Sequence, residues 1–308
     1  MAGDALSPEH LFEHVQDADY FHLPAALLPE EYHGHLPIGQ PFAPEKPLLE
    51  VHTGVPLIDQ NVEPLDLKIT KFMVIEVFVA VILVVIFARL AQRMRGGERP
   101  RGRTWNMLEA MLVFLRDEVA RPAIGSKDAD RYLPLLWTMF FFVLGCNLFG
   151  LIPWMGSPTG ALATTGVLAL VTFFTVIGTG VAKFGGAGYF KSLVPHMDLP
   201  RVLAILLVPM IFIIEIVGIL IKHFVLSIRL LANMMAGHVV VAVIVGFIAV
   251  TYWNQAGTGV SPLWYGVMPA SVLGAMALNL LELFVAFLQA YIFVFLSALF
   301  IGMAVHPH

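Results

Sequence analysis

The chain has 308 residues, of which 58% are hydrophobic and only 13% charged, and its mean hydropathy is +0.81. A soluble domain is about 45–50% apolar and about 25% charged, so an ordinary soluble enzyme and a disordered chain are both excluded, and a polytopic membrane protein is indicated. A net charge of −4 offers no basic face to nucleic acid, and the single cysteine, Cys146, allows no intrachain disulfide.

Residues 1–66 hold 12 of the 22 acidic residues, 6 of the 11 histidines and one lysine, Lys46, among many prolines. No run there is long enough to span a bilayer, and the basic start and apolar core of a signal peptide are missing. The expectation is a water-facing extension. Ser7-Pro8 reads as a helix start, with Leu11, Phe12 and Val15 as a small apolar face. His10, His14, His22, His33, His35 and His52 are spaced irregularly, which suits solvated loops better than a metal site.

Apolar runs follow at 72–90, 132–152 and 160–182, each close to the ~20 residues that cross the hydrocarbon. Residues 201–252 and 263–305 exceed one perpendicular crossing, and hydropathy alone leaves two spans or one inclined helix open for each. Arg89, Arg93, Arg95, Arg99, Arg101 and Arg103 follow the first span against one acid, Glu98. The positive-inside rule puts that loop in the cytoplasm and the acidic N-terminus outside. Lys183, Lys191 and Arg201 place the loop after the third span inside as well, and single crossings thereafter leave the C-terminus cytoplasmic. Between the arginines and the second span, residues 104–122 carry Trp105, Leu108, Leu112, Leu115 and Val119 at three- and four-residue steps. Glu109, Arg116, Asp117 and Arg121 supply the polar positions. That pattern predicts an amphipathic helix on a membrane surface or a partner.

Ionisable side chains inside spans cost about 2.5–3.5 kcal/mol each on insertion scales, so they are functional candidates. Here they are Glu215, Lys222, His223, Arg229, His238 and Glu282, with Glu76 near a membrane edge and Asn233, Asn279 and Gln289 as polar amides. On one continuous helix, Glu215, Lys222, Arg229 and Asn233 fall within a stripe of roughly 40°, with His238 about 13 Å along the axis from Arg229. Asn279, Glu282 and Gln289 form a second stripe. The competing reading is that these groups hold helices together, for instance through an ion pair between Arg229 and Glu282. Residues 185–192, GGAGYFKS, lack the Gly-Lys step of a phosphate loop, and no hydrolase, zinc or dinucleotide motif appears.

Residues 227–238, SIRLLANMMAGH, and 280–302, LLELFVAFLQAYIFVFLSALFIG, resemble the two signature regions of the subunit a family of F-type rotary ATP synthases. Residues 146–153, CNLFGLIP, and 163–170, ATTGVLAL, resemble that family's preceding spans, and the likeness covers roughly residues 65–305. The resemblance implies an all-α polytopic membrane fold. It would have four membrane-crossing helices plus an amphipathic one, the last two crossing helices long and tilted against a ring of c subunits. It implies that Arg229 attracts the c-subunit carboxylate and blocks a leak between two half-channels. Glu282 and His238 would line the outer half-channel, Asn233 and Gln289 would lie near the arginine, and Glu215 and Lys222 would lie toward the cytoplasm, with Asn279 among the proton-translocation positions. No cofactor is implied. The implied partners are the c-ring, the subunit b peripheral stalk, the rest of the synthase and protons, in a bacterial inner membrane. Some members carry Glu and His in the reverse order at the positions of His238 and Glu282, and the N-terminus is longer than in compact members. A stand-alone proton-coupled transporter and a structural scaffold are the competing readings. No repeat relates 65–180 to 200–305, which disfavours the transporter.

Overall fold

The computed structural model describes residues 17–22, 35–40, 68–94, 102–152, 155–193, 201–252 and 261–306. The proposed helix start at Ser7-Pro8, His10, His14, His33 and His52, and Arg95, Glu98, Arg99 and Arg101 lie outside them. A short antiparallel hairpin pairs β1 (Tyr20–His22) with β2 (His35–Pro37). The helices are α1 (Lys71–Met94), α2 (Arg103–Phe114), α3 (Arg121–Ile124), α4 (Ala129–Gly150), α5 (Leu162–Phe184), α6 (Gly186–Ser192), α7 (Arg201–Tyr252) and α8 (Trp264–Val305). A π-helical stretch, Leu115–Ala120, joins α2 to α3, and a 3-10 turn, Pro158–Gly160, precedes α5. A chain this apolar satisfies its backbone hydrogen bonds within each segment, because lipid supplies no partners.

The fold is that of an all-α polytopic membrane protein. Five helices among the described residues are long and apolar enough to cross a membrane: α1, α4, α5, residues Leu207–Tyr252 of α7, and α8. The family resemblance implied four, and the count is higher because α1 is itself a full-length apolar helix beside the other four. The ambiguity of the two long stretches resolves to one unbroken helix each. At 1.5 Å per residue, the 52 residues of α7 extend about 78 Å and the 42 of α8 about 63 Å, against a hydrocarbon layer of about 30 Å. Each must therefore lean steeply or project beyond the bilayer. Pro209 and Pro269 both fall within the first three turns of their helices, where the lost backbone bonds disturb the least of the remaining length.

The main core is built where α8 packs on α4, α5, α7 and the segment that ends in α3. No residue of α2 is buried, whereas Leu115, Val119, Ala120 and Ile124 beyond it are. They join Leu133 and Leu136 of α4 and Phe293, Val294, Ile301 and Val305 of α8 in one cluster. The amphipathic segment is thus a surface helix in its first half and a core element in its second. Its polar side carries Arg116, which donates to both oxygens of Asp117 at 2.9 and 3.0 Å, and Arg121, which donates at 2.8 Å. The bonds from Arg116 hold the Asp117 carboxyl below its usual range. Gly302 of α8 lies against the Ala123 carbonyl, and any β-carbon there would collide with it.

Polar side chains stitch the helices together. The Asn147 amide of α4 donates to the Ala286 carbonyl of α8 at 3.1 Å and accepts from the Thr159 hydroxyl at 2.6 Å. Ser157 lies 2.7 Å from Thr159, and Ser227 of α7 donates to Thr165 of α5 at 3.0 Å. Cys146 packs among Phe72, Ile75 and Val79. At the start of α1, Asp17 accepts from the Phe72 amide at 3.2 Å, and Gln40 exchanges two bonds with the Ile69 backbone at 2.8 and 2.9 Å.

Replacing Asn147 with Leu removes its two bonds, to the Ala286 carbonyl and from the Thr159 hydroxyl. It is expected to cost about 1–3 kcal/mol, read as a lower thermal midpoint of the purified protein in detergent. Gly302→Val is expected to lower it at least as much, through its clash with Ala123.

Candidate functional site on the paired long helices

Because α7 is a single helix, Glu215, Lys222, Arg229 and Asn233 do share one side of it. The structure joins the first two: Lys222 Nζ lies 3.9 Å from Glu215 Oε1, with both side chains well exposed. Arg229 and Asn233 are half-buried. Among the described residues Arg229 makes no ion pair and no hydrogen bond, so the Arg229–Glu282 pairing considered as helix glue is not formed. A guanidinium cannot shed its charge in a protein, so Arg229 stays a permanent cation on a half-buried position of α7.

Glu282 pairs instead with His238. Its Oε1 lies 3.4 Å from His238 Nδ1, and Glu282 is only 4% exposed. His238 Nε2 and Glu282 Oε1 are buried without a hydrogen-bond partner among the described residues. Buried polar atoms are nearly always partnered, so two such atoms on one facing acid–base pair are unusual. The close approach depends on Gly237. A β-carbon there would stand 2.7 Å from Glu282 Oε1 and 3.0 Å from its carboxyl carbon. Sequence reasoning recorded Gly237 only as part of a motif, since the contact is made by a helix 45 residues further along the chain.

On α8, Gln289 is buried beside Ala286 and Ala290, on the same side as Glu282. Asn279 is exposed and does not share that buried stripe, since three residues turn the helix about 60° away. Glu76 accepts a 2.6 Å bond from the Thr164 hydroxyl, tying α1 to α5. His223 is buried on the inner side of α7, with Nδ1 2.8 Å from the Ile219 carbonyl. His22 and His35 face each other across the hairpin. Among the described residues no three His, Cys, Asp or Glu side chains converge as metal ligands would.

Residues 73–302 match the family described as ATP synthase A chain. The chain belongs to that family. It is 41% identical over 247 residues to ATP synthase subunit a of Myxococcus xanthus (strain DK1622), which covers 79% of this chain and 76% of the relative. It is 34% identical over 308 residues to ATP synthase subunit a of Anaeromyxobacter sp. (strain Fw109-5), covering 97% and 70%. ATP synthase subunit a of Chloroherpeton thalassium is 37% identical over 243 residues, covering 78% and 67%. The family match contains every candidate above, from Glu76 to Gln289.

Gly237→Ala is expected to displace the Glu282 carboxylate and slow ATP-driven proton pumping by vesicles that contain the assembled synthase. The check is a pH-sensitive dye, with subunit content compared by immunoblot. Gly274→Ala, in ordinary van der Waals contact with Ile244 at 3.7 Å, is expected to pump normally.

Proposed function

We propose that this chain is the proton-conducting stator of the membrane sector of an F-type ATP synthase, a component that carries no catalytic step of its own. The observation that carries this reading is Arg229, half-buried on an unbroken α7 with no partner among the described residues, with His238 nine residues further along that helix and Glu282 of α8 packed against it. An arginine with no internal partner suits a carboxylate presented by another subunit, here that of a c-ring. It attracts the deprotonated carboxylate and, being permanently charged, cannot pass a proton itself. A lysine could deprotonate and leak.

In this mechanism His238 and Glu282 take a proton from the outer side and hand it to the ring carboxylate. Histidine titrates near neutral pH, and the carboxylate beside it can hold or release the same proton. The neutralised ring site leaves Arg229 and turns into lipid. After nearly a full turn it meets the second half-channel, where Glu215 and Lys222 stand on the cytoplasmic side. Asn233 and Gln289 flank the arginine, and Asn279 lies at the exposed margin of the outer path. Each proton moved down 100 mV supplies about 2.3 kcal/mol. The arginine-rich segment after α1 and the acidic extension orient the chain with its N-terminus outside and its C-terminus in the cytoplasm. Residues 1–66 form an extracytoplasmic extension, and the peripheral stalk's subunit b completes the stator. The bacterial sources of the relatives support a bacterial inner membrane. A stand-alone transporter is the weaker reading, because such proteins bind substrate at discontinuous helices, and α7 and α8 run unbroken.

Arg229→Ala in the assembled complex is expected to abolish ATP-driven pumping, measured in inverted vesicles with assembly verified. Normal pumping by that variant would make the arginine structural and remove this mechanism.

A further inference from the structure

On the side of α7 that carries Glu215 and Lys222, a cavity of about 60 Å³ lies between α5, α6, α7 and α8. That is room for a few water molecules. Glu215, Lys222 and His223 line it from α7, and Tyr189 lines it from α6. The groups contributed by α5 and α8 are apolar: Val176, Phe300, Met303 and Ala304. His223 is held rigidly there. Its ring sits between Phe173 and Phe300, with centroids 5.3 and 5.1 Å away. Its Nδ1 lies 2.8 Å from the Ile219 carbonyl, which can only accept, so Nδ1 carries the proton. Nε2 is then a bare lone pair, buried and without a hydrogen-bond partner among the described residues. A packing histidine has no need of an unpartnered acceptor beside a cavity lined by charged groups, and an aromatic residue would fill the same slot without that cost.

We propose that His223 is a proton-relay residue of the cytoplasmic exit path. This rests on the stator reading above. His223 lies six residues, about 9 Å, from Arg229 along the helix. A proton released by the ring carboxylate travels by water to His223 Nε2, which becomes protonated while Nδ1 keeps its own proton. Nε2 then returns the proton to cavity water, which passes it to the Glu215–Lys222 mouth. The ring site is left as a carboxylate opposite Arg229, and His223 returns to its starting tautomer.

The test uses the whole synthase in vesicles and two variants. His223→Asn keeps an N–H donor for Ile219 and removes the titratable acceptor. His223→Ala opens space for a soluble substitute. The readouts are ATP-driven pumping and passive proton conduction after the catalytic sector is stripped. The expected result is a several-fold fall in both for either variant, with conduction in His223→Ala restored by imidazole and unchanged by an equal concentration of a non-buffering amide. Wild-type conduction by His223→Asn overturns the proposal, as does failure of both variants to assemble, which would make the side chain structural. Arg229→Ala runs in parallel. If it stops pumping while His223→Asn does not, only the role of His223 fails, and if it pumps normally, the stator reading fails first.

Discussion

Inside lipid, a polar atom must find its partner within the protein, and everything else in this molecule follows from how that demand is met. Backbone groups meet it by winding five long helices. Side chains meet it through short cross-links such as Asn147 to Ala286 and Ser227 to Thr165, which double as the ties between helices. A buried polar atom left without a partner costs about 1–3 kcal/mol, so its survival asks for a reason. Among the described residues five such atoms occur. Lys71 Nζ and Trp264 Nε1 belong to the first residues of α1 and α8, where a membrane-crossing helix meets the interface. The other three belong to His223, His238 and Glu282, all on the long helices. The unmet demand is concentrated where proton traffic is proposed.

Small residues set how closely the long helices approach their neighbours. Gly237 admits the Glu282 carboxylate to the surface of α7, and Gly302 admits the Ala123 backbone to the surface of α8. The first contact governs the outer acid–base pair, and the second fixes the end of α8 against the core half of the amphipathic segment. α8 is therefore positioned near its C-terminal end by the Gly302 contact and in its middle by the Gly237 contact and the Asn147 hydrogen bond. A carboxylate on such a helix has little freedom to drift from its histidine.

The fold class was legible in the chain because hydropathy over 20 residues is a strong local signal, and the polar stripe on α7 was legible because a single helix needs only its own period. What could not be read was anything that depended on a second helix. Arg229 and Glu282 looked like partners by charge, yet Glu282 lies against His238 and Gly237, and Arg229 stands alone. Asn279 shared a stripe with Glu282 by spacing but falls outside the buried side once α8 has packed. By spacing His223 was one of six ionisable residues inside the spans, and only the aromatic rings of α5 and α8 reveal it as fixed and half-satisfied. The amphipathic helix was visible by period, but its division into a surface half and a core half depends on α4 and α8. The β-hairpin, in an acidic proline-rich stretch, left no periodic trace at all.

That hairpin changes what the N-terminal extension means. The first turn of α1 has free amides, and none of its own first-turn residues is acidic. Thr70 accepts from the Met73 amide at 3.4 Å, and Asp17, 55 residues upstream of Phe72, adds a second acceptor and a negative charge at the positive end of the helix, while Gln40 clips the segment leading into it. The cap is therefore partly local and partly tertiary. A chain trimmed back to its apolar part would keep every membrane span and the Thr70 cap, yet lose the Asp17 and Ala18 acceptors at the first turn. The described part of the extension is thus a fastener on the start of the first span.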